Sequence, residues 1–160
     1  MNNLFISGIT GKVGKLLSSY ALESNHFKLI GGSCSPDNNF FGKDVGELLE
    51  IDEIGIQISE KMSEDLSVDI IIDFSSPKSS MKILQLAKIK EIPILIGTTG
   101  FSKDDFKEIE IASTQIPVLF APNTSSGIAI LKNILNKSKN LFSEDHEFSI
   151  SETHHIEKKD

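Results

Sequence analysis

Residues 4–14, LFISGITGKVG, decide the fold of this chain. The apolar run at their start predicts a buried strand, and Val13 with the apolar residues that follow at helical spacing predicts a helix. Between these two elements, Gly8, Gly11 and Gly14 form the pattern Gly-x-x-Gly-x-x-Gly. A dinucleotide pyrophosphate needs this arrangement, because glycine lets the backbone approach phosphates closely and a helix N-terminus presents N–H groups to them.

A tight strand-to-helix turn with close packing would account for Gly14 but not for Gly8 and Gly11 together. We therefore expect the whole turn to bind a cofactor. Its candidate cofactor-binding residues are Gly8, Ile9, Thr10, Gly11, Lys12, Val13 and Gly14. Lys12 is either a partner for a phosphate or a solvated charge in the first helical turn, and the sequence leaves both readings open.

Short apolar runs alternate with longer amphipathic segments along the rest of the chain. We predict strands at 27–33, 68–74, 93–96, 116–121 and 147–154, and helices starting at 75–77, running from Ser102 to about Thr114, and spanning 126–142. Residues 36–46 are turn-rich, and residues 47–66 are ambiguous, with a helical turn and a short strand around 54–58. Strands that alternate with helices in this way predict an α/β fold with a doubly wound, Rossmann-like parallel sheet.

Polar clusters follow three of the predicted strands. They read DFSSP at 73–77, GTTG at 97–100 and APNTSSG at 121–127. Each cluster alone is typical of an ordinary helix cap or turn. Because open parallel sheets bind ligands outside the carboxyl ends of their strands, the three clusters and the glycine turn together predict a binding rim.

Composition excludes several classes of protein. Of 160 residues 39% are hydrophobic, which is enough for a packed core and argues against disorder. The chain lacks a run of about 18 apolar residues, so we expect no membrane span. A single cysteine, Cys34, allows neither an internal disulfide nor a zinc site and fits a reducing cytoplasm. A net charge of -7, with sixteen lysines and no arginine, does not favour nucleic-acid binding.

The choice between NADH and NADPH stays open. The second predicted strand ends in SCSPD at 33–37, where an acidic residue often binds the ribose 2′-hydroxyl. Asp37 lies beyond a proline, too far along to be a clear partner. The small hydroxyl residues would tolerate a 2′-phosphate, but the chain has no arginine to hold one.

Five motifs, taken in order, resemble the dihydrodipicolinate reductase family. They are Gly-x-x-Gly-x-x-Gly at 8–14, Asp-Phe-Ser at 73–75, Ile-Gly-Thr-Thr-Gly-Phe at 96–101, Ala-Pro-Asn-x-Ser-x-Gly at 121–127 and Glu-x-His-His-x-x-Lys at 152–158. The resemblance implies NADH- or NADPH-dependent reduction of 4-hydroxy-tetrahydrodipicolinate, a small dicarboxylate, to tetrahydrodipicolinate in lysine and diaminopimelate biosynthesis. It also implies a homotetramer in the cytoplasm.

The resemblance also assigns individual residues. It implies further cofactor contacts, on the nicotinamide side, from Phe74, Gly97, Thr98, Thr99, Ala121, Pro122, Asn123 and Thr124. His154 matches the acid/base histidine, Lys158 the second proton donor and His155 a substrate contact. Thr124 stands where relatives often have phenylalanine, so aromatic packing there is not expected. The histidine spacing does not favour a metal ion, and none is expected.

The family continues beyond 158–160 into an Ala-Pro-Ser-Gly-Thr segment that binds the substrate carboxylates and then a second sheet used for tetramer assembly. This chain contains neither, so we expect a dinucleotide-binding domain at 1–125, an incomplete α+β substrate and oligomerisation domain at 126–160, and weak or no turnover. One alternative is a non-catalytic, dinucleotide-binding remnant of such a reductase. Another is an aspartate-semialdehyde or homoserine dehydrogenase, which would need a catalytic cysteine or a different acid–base set.

Overall fold

The computed structural model describes residues 1–138 and, beyond them, only 141, 149, 151 and 153. The chain divides into two compact units, Met1–Pro122 and Asn123–Asp160. The domain boundary expected after residue 125 stays a prediction.

The first unit is a six-stranded sheet in which every strand pairing is parallel. Its strands are β1 (Asn2–Ser7), β2 (Phe27–Ser33), β3 (Ile58–Ser59), β4 (Ile70–Asp73), β5 (Ile94–Ile96) and β6 (Val118–Phe120), in the spatial order β3-β2-β1-β4-β5-β6. Its helices are α1 (Lys12–Glu23), α2 (Val45–Leu49), α3 (Pro77–Ile89) and α4 (Lys103–Ser113). The predicted doubly wound sheet is confirmed.

Side-chain alternation along β1 divides the apolar core between the two faces of the sheet. Leu4 and Ile6 pack with residues of α1 and α2, whereas Phe5, between them, packs with residues of α3 and α4. All three side chains are at most 2% exposed. Strands covered on both faces read as continuous apolar runs, which is why β1 was recognisable from sequence.

Two helices begin where the sequence predicted. Ser76 caps α3, with Pro77 at its first position, and Ser102 and Asp105 form a reciprocal capping box at the start of α4. These caps satisfy backbone N–H groups that have no partner within the helix. The caps also fix where the chain turns back after β4 and β5.

The structure corrects the sequence prediction in the middle of the first unit. Helix α2 starts at Val45, inside the region expected to be a loop, because the Asp44 carboxylate accepts hydrogen bonds from the N–H groups of Gly46 (2.7 Å) and Ile54 (2.9 Å). The short strand β3 follows at Ile58–Ser59, later than the 54–58 expected. Strand β4 is shorter than the predicted 68–74.

The described part of the second unit contains helix α5 (Ser126–Ser138), on which no side chain is buried. The predicted helix runs to residue 142, and its part after Ser138 lies outside the described residues, as does the predicted strand at 147–154. None of the helices in the described part of the chain is long and apolar enough to cross a membrane.

Candidate functional site

A pocket lies where the carboxyl ends of the central strands meet. Ser7 of β1, Asp73 of β4 and Ile96 of β5 are in register at this edge of the sheet. The strand order reverses direction at β1, and parallel sheets bind ligands in the crevice beside such a point. The pocket has a volume of about 230 Å³ and is lined by Gly11, Lys12, Val13, Phe74, Ser75, Gly97, Thr98 and Thr99. All of these except Ser75 were predicted from the sequence.

Packing within the protein explains two of the three glycines in the first turn. Gly8 has a φ of +78°, and a Cβ atom on it would lie 2.2 Å from the carbonyl oxygen of Phe74. A Cβ atom on Gly14 would lie 2.3 Å from the carbonyl oxygen of Gly8. Close packing therefore accounts for Gly8 as well as Gly14, but it does not account for Gly8 and Gly11 together.

Gly11 is different, and it lines the pocket. Its φ of −71° suits any residue, and apart from a 3.3 Å approach to the Gly8 carbonyl oxygen a Cβ atom there would meet nothing closer than 4.0 Å. Space rather than backbone conformation is therefore what a glycine provides here. That space is open to a ligand approaching the start of α1.

Gly11 is also the N-cap of α1, and no side chain caps this helix or places an acidic group in its first turn. By contrast, side chains of Asp44, Ser76 and Ser102 cap α2, α3 and α4. Helix N-termini carry partial positive charge and N–H donors, so an open one on a pocket suits an anion such as a pyrophosphate. The residues present therefore fit the phosphates of a dinucleotide.

Backbone hydrogen bonds hold the first turn in this shape. The N–H groups of Gly8 (2.9 Å) and Ile9 (3.1 Å) both donate to the carbonyl of Ser33 at the end of β2, and the Gly11 N–H donates to the Gly8 carbonyl (3.0 Å). The side chain of Ile9 is fully buried in the core between the sheet and α1. Ile9 therefore anchors the turn to the core.

Phe74 connects the first turn with the end of β5. Its N–H donates to the Ser7 carbonyl (3.0 Å), and a Cβ atom on Gly97 would lie 2.1 Å from its ring. The ring thus lies directly on Gly97, while the carbonyl of Phe74 lies against Gly8. Because Gly8 and Gly97 have no side chains, the turn after β4 packs closely against the first turn and against the end of β5.

A buried carboxylate beneath the pocket was not among the predicted site residues. Asp73 is fully buried, and it accepts hydrogen bonds from the hydroxyls of Ser75 (2.6 Å), Thr98 (2.8 Å) and Ser80. Thr98 Oγ1 also accepts a hydrogen bond from the Ser75 N–H (2.9 Å). An aspartate closing an otherwise apolar strand was the available signal, but two of its three partners, Ser80 and Thr98, are more distant in sequence.

The other predicted cofactor contacts follow β6. Ala121 and Pro122 follow β6 in the first unit, where the Ala121 N–H donates to the Ile96 carbonyl (2.8 Å). Asn123 and Thr124 are exposed and begin the second unit, where Asn123 Oδ1 accepts from the Ser125 N–H (2.9 Å). The predicted catalytic and substrate residues, His154, His155 and Lys158, lie outside the described residues.

Cys34 is not suited to nucleophilic catalysis. Its side chain is buried at the end of β2, and this burial raises the pKa of the thiol above its usual range. A thiol is a poor nucleophile unless it is ionised, so a dehydrogenase mechanism that needs a reactive cysteine is not supported. Among the described residues, no group of three or more His, Cys, Asp or Glu side chains is arranged to hold a metal ion.

Curated relatives of this chain agree with the family that the motifs resemble. The chain is 34% identical to the 4-hydroxy-tetrahydrodipicolinate reductase of Colwellia psychrerythraea over 97% of its own length and 58% of the relative's. It is 31% identical to the enzyme of that name from Buchnera aphidicola, covering 99% of this chain and 58% of the relative. The chain thus spans a little under three fifths of these curated relatives.

The fold is similar to that of a dihydrodipicolinate reductase from Paenisporosarcina solved with dipicolinate bound. The TM-score is 0.71 at 17% sequence identity, over 89% of this chain and 55% of the other. Residues 2–124 match the family described as dihydrodipicolinate reductase, N-terminus. The chain therefore belongs to the dihydrodipicolinate reductase family, through a match that covers most of its length.

Proposed function

We propose that this chain binds NADH or NADPH in the pocket at the end of β1 and β4, as the cofactor-binding part of a 4-hydroxy-tetrahydrodipicolinate reductase. The observation that carries the proposal is the uncapped N-terminus of α1, which opens onto the pocket at Gly11. Membership of the dihydrodipicolinate reductase family supports it independently. The reaction is the reduction of 4-hydroxy-tetrahydrodipicolinate to tetrahydrodipicolinate.

The backbone from Gly11 to Gly14 would hold the pyrophosphate. The N–H groups at the start of α1 donate hydrogen bonds to phosphate oxygens, and the aligned peptide dipoles favour their negative charge. Lys12 lines the same pocket and adds a positive charge at its rim. The absence of acidic residues from the first helical turn keeps like charges away from the phosphates.

The sheet order supports an assignment of residues to the two halves of the cofactor. In sheets of this type the end of β2 contacts the adenosine ribose, so the residues after β4 and β5, on the other side of β1, face the nicotinamide. We assign Phe74, Gly97, Thr98 and Thr99, which line the pocket, to that side. When bound, the cofactor supplies the hydride, and these residues orient it and exclude water. We assign Ala121, Pro122, Asn123 and Thr124 to the same role.

The substrate would be a small dicarboxylate. The Paenisporosarcina reductase was solved with dipicolinate, which supports this class of ligand. We assign proton transfer to the imidazole of His154, a second proton to the ammonium group of Lys158 and a substrate contact to His155. Histidine suits proton transfer near neutral pH, and lysine can neutralise a carboxylate. A location in the cytoplasm, with no nucleic-acid partner, completes the proposal.

Two measurements on the folded chain test this function. Titration calorimetry with NADH and NADPH measures binding, and loss of reduced-nicotinamide absorbance with 4-hydroxy-tetrahydrodipicolinate measures turnover. Binding of at least one of the two nucleotides is the expected result. Binding without any turnover would favour the alternative, a non-catalytic dinucleotide-binding protein. A folded chain that binds neither nucleotide would overturn the proposal.

A further inference from the structure

The buried carboxylate of Asp73 joins three separate elements at the pocket. Ser75 lies in the turn after β4, Ser80 lies on α3 and Thr98 lies in the loop after β5, and the hydroxyls of all three donate to Asp73. A buried carboxylate is costly unless hydrogen bonds replace its hydration, and three charge-assisted O–H donors do so here. The network therefore stabilises one arrangement of these elements.

A second bond closes the network into a ring. Thr98 Oγ1 donates to Asp73 Oδ2 and accepts from the Ser75 N–H, so its hydroxyl has one preferred orientation. Loss of the carboxylate would free this hydroxyl and with it the backbone of Ser75. Hydrogen-bond networks of this kind lose more on removal of one member than a single pair would.

Only some members of the network are in a position to contact a ligand. Ser75 and Thr98 line the pocket, whereas Asp73 and Ser80 are fully buried. Phe74, which also lines the pocket, lies between Asp73 and Ser75 in the chain and rests on Gly97. Asp73 thus supports the surface that faces the pocket without being part of it.

The other half of the site has its own supports. Gly8 and Ile9 donate to the Ser33 carbonyl, and Gly11 donates to the Gly8 carbonyl, with no side chain involved. Loss of the Asp73 carboxylate would leave those bonds in place. The two halves of the pocket are therefore held by different sets of bonds.

We propose that Asp73 is a positioning residue for the nicotinamide half of the cofactor site, acting through Thr98 and Ser75. The inference rests on the proposed cofactor binding and extends it to a residue that does not touch the cofactor. It requires that weakening the network affects NADH more than ADP-ribose, which lacks the nicotinamide.

Calorimetric titration of NADH and ADP-ribose into wild type, Asp73→Asn and Ser80→Ala tests this. Because hydrogen bonds to a charged group are strong, we expect the Kd for NADH to rise about tenfold or more in Asp73→Asn and by a smaller factor in Ser80→Ala. We expect the Kd for ADP-ribose to change by less than about twofold, since the first turn keeps its own hydrogen bonds.

Ile83→Val is the matched control, because Ile83 is buried on the same helix as Ser80 and loses only a methyl group. Its affinity for both ligands should equal that of wild type, although its thermal midpoint falls. If Asp73→Asn fails to fold, the inference is tested by comparing the affinities of Ser80→Ala and Ile83→Val for NADH and ADP-ribose.

The outcomes separate this inference from the proposed function. Wild-type protein that binds neither NADH nor ADP-ribose overturns both. Wild-type protein that binds NADH, with Asp73→Asn and Ser80→Ala binding it equally well, overturns the inference and leaves the function intact. Equal losses for NADH and ADP-ribose would mean that Asp73 has a general structural role, and they would also overturn the inference.

Discussion

Two turns at the same edge of the sheet are built in opposite ways. The turn after β1 is made by backbone and glycine, and it leaves the N-terminus of α1 without a side-chain cap. The turn after β4 is made by side chains, with hydroxyls bonded to Asp73 and Ser76 capping α3. The first turn leaves a helix N-terminus without a side-chain cap at the pocket, whereas the second uses its side-chain hydroxyls for hydrogen bonds within the protein.

The difference separates residues that bind from residues that support. Some substitutions in the first turn should unfold the protein, and others should only block the ligand. The outcome depends on whether the new side chain would clash with the protein or extend into the pocket. Substitutions in side-chain caps should reduce stability and leave affinity unchanged. The following experiments test that division, from the largest expected effect to the smallest.

Gly8→Ala should destabilise the protein most. Alanine would be strained in the left-handed backbone conformation of Gly8, and its methyl group would clash with the Phe74 carbonyl. Together these two effects cost about 3 kcal/mol in the free energy of unfolding. Gly55→Ala is the matched control, because Gly55 has a φ of +76° but nothing within 4 Å. The control should lose only about 1 kcal/mol in denaturant unfolding. Equal losses at the two positions would mean that contact with Phe74 is unimportant.

Gly11→Asp should affect binding and not stability. Aspartate is a good N-cap, so the free energy of unfolding should stay within a few tenths of a kcal/mol of wild type. Its carboxylate would lie where the phosphates bind, and we expect the Kd for NADH and NADPH to rise about tenfold or more. Gly11→Asn is the neutral control and should weaken binding less. Wild-type affinity in both variants would contradict a pyrophosphate site at α1.

Ser102→Ala should show the reverse behaviour. Ser102 caps α4 through the Asp105 N–H, and loss of such a cap costs about 1 kcal/mol of stability. Its effect on the Kd for NADH should be small, because Ser102 is not part of the pocket lining. Parallel thermal melts and calorimetry measure the two quantities. A large loss of affinity here would remove the distinction between caps and the open helix end.

The smallest expected effect is on the pKa of Asp105 and the pH dependence of stability. Hydrogen bonds from the Ser102 side chain and backbone hold the pKa of Asp105 below its ordinary value. Because the folded pKa is the lower one, the stabilisation is present above the ordinary carboxyl pKa of about 4 and is lost as the pH falls through the folded pKa. Carboxyl NMR titration should find the pKa of Asp105 higher in Ser102→Ala. An unchanged value would mean that the capping box does not form in solution.

The sheet and the first turn could be predicted because their signals are local. Buried parallel strands are apolar runs, and three glycines between a strand and a helix are visible in seven consecutive residues. The different reasons for Gly8 and Gly11 could not be predicted, since each depends on which atoms a Cβ would meet. The start of helix α2 at Val45 was not predicted, because the second partner of its cap, Ile54, lies ten residues beyond Asp44.

The role of Asp73 was hidden for a similar reason. The aspartate itself was part of a recognised motif, but its partners Ser80 and Thr98 lie 7 and 25 residues away. Serine and threonine after a strand predict a helix cap equally well, and only the sheet register brings the ends of β4 and β5 together. The sequence therefore predicted most residues of the pocket, and the structure shows which of them line it and that Asp73 is buried behind them.

Calorimetric titration of NADH and NADPH into folded wild-type protein, repeated with Gly11→Asp, tests the central claim most directly. The account predicts saturable binding of at least one nucleotide to the wild type, and an affinity at least about tenfold weaker in an equally stable variant. Equal affinity in the two proteins, or no binding to folded wild type, would contradict it.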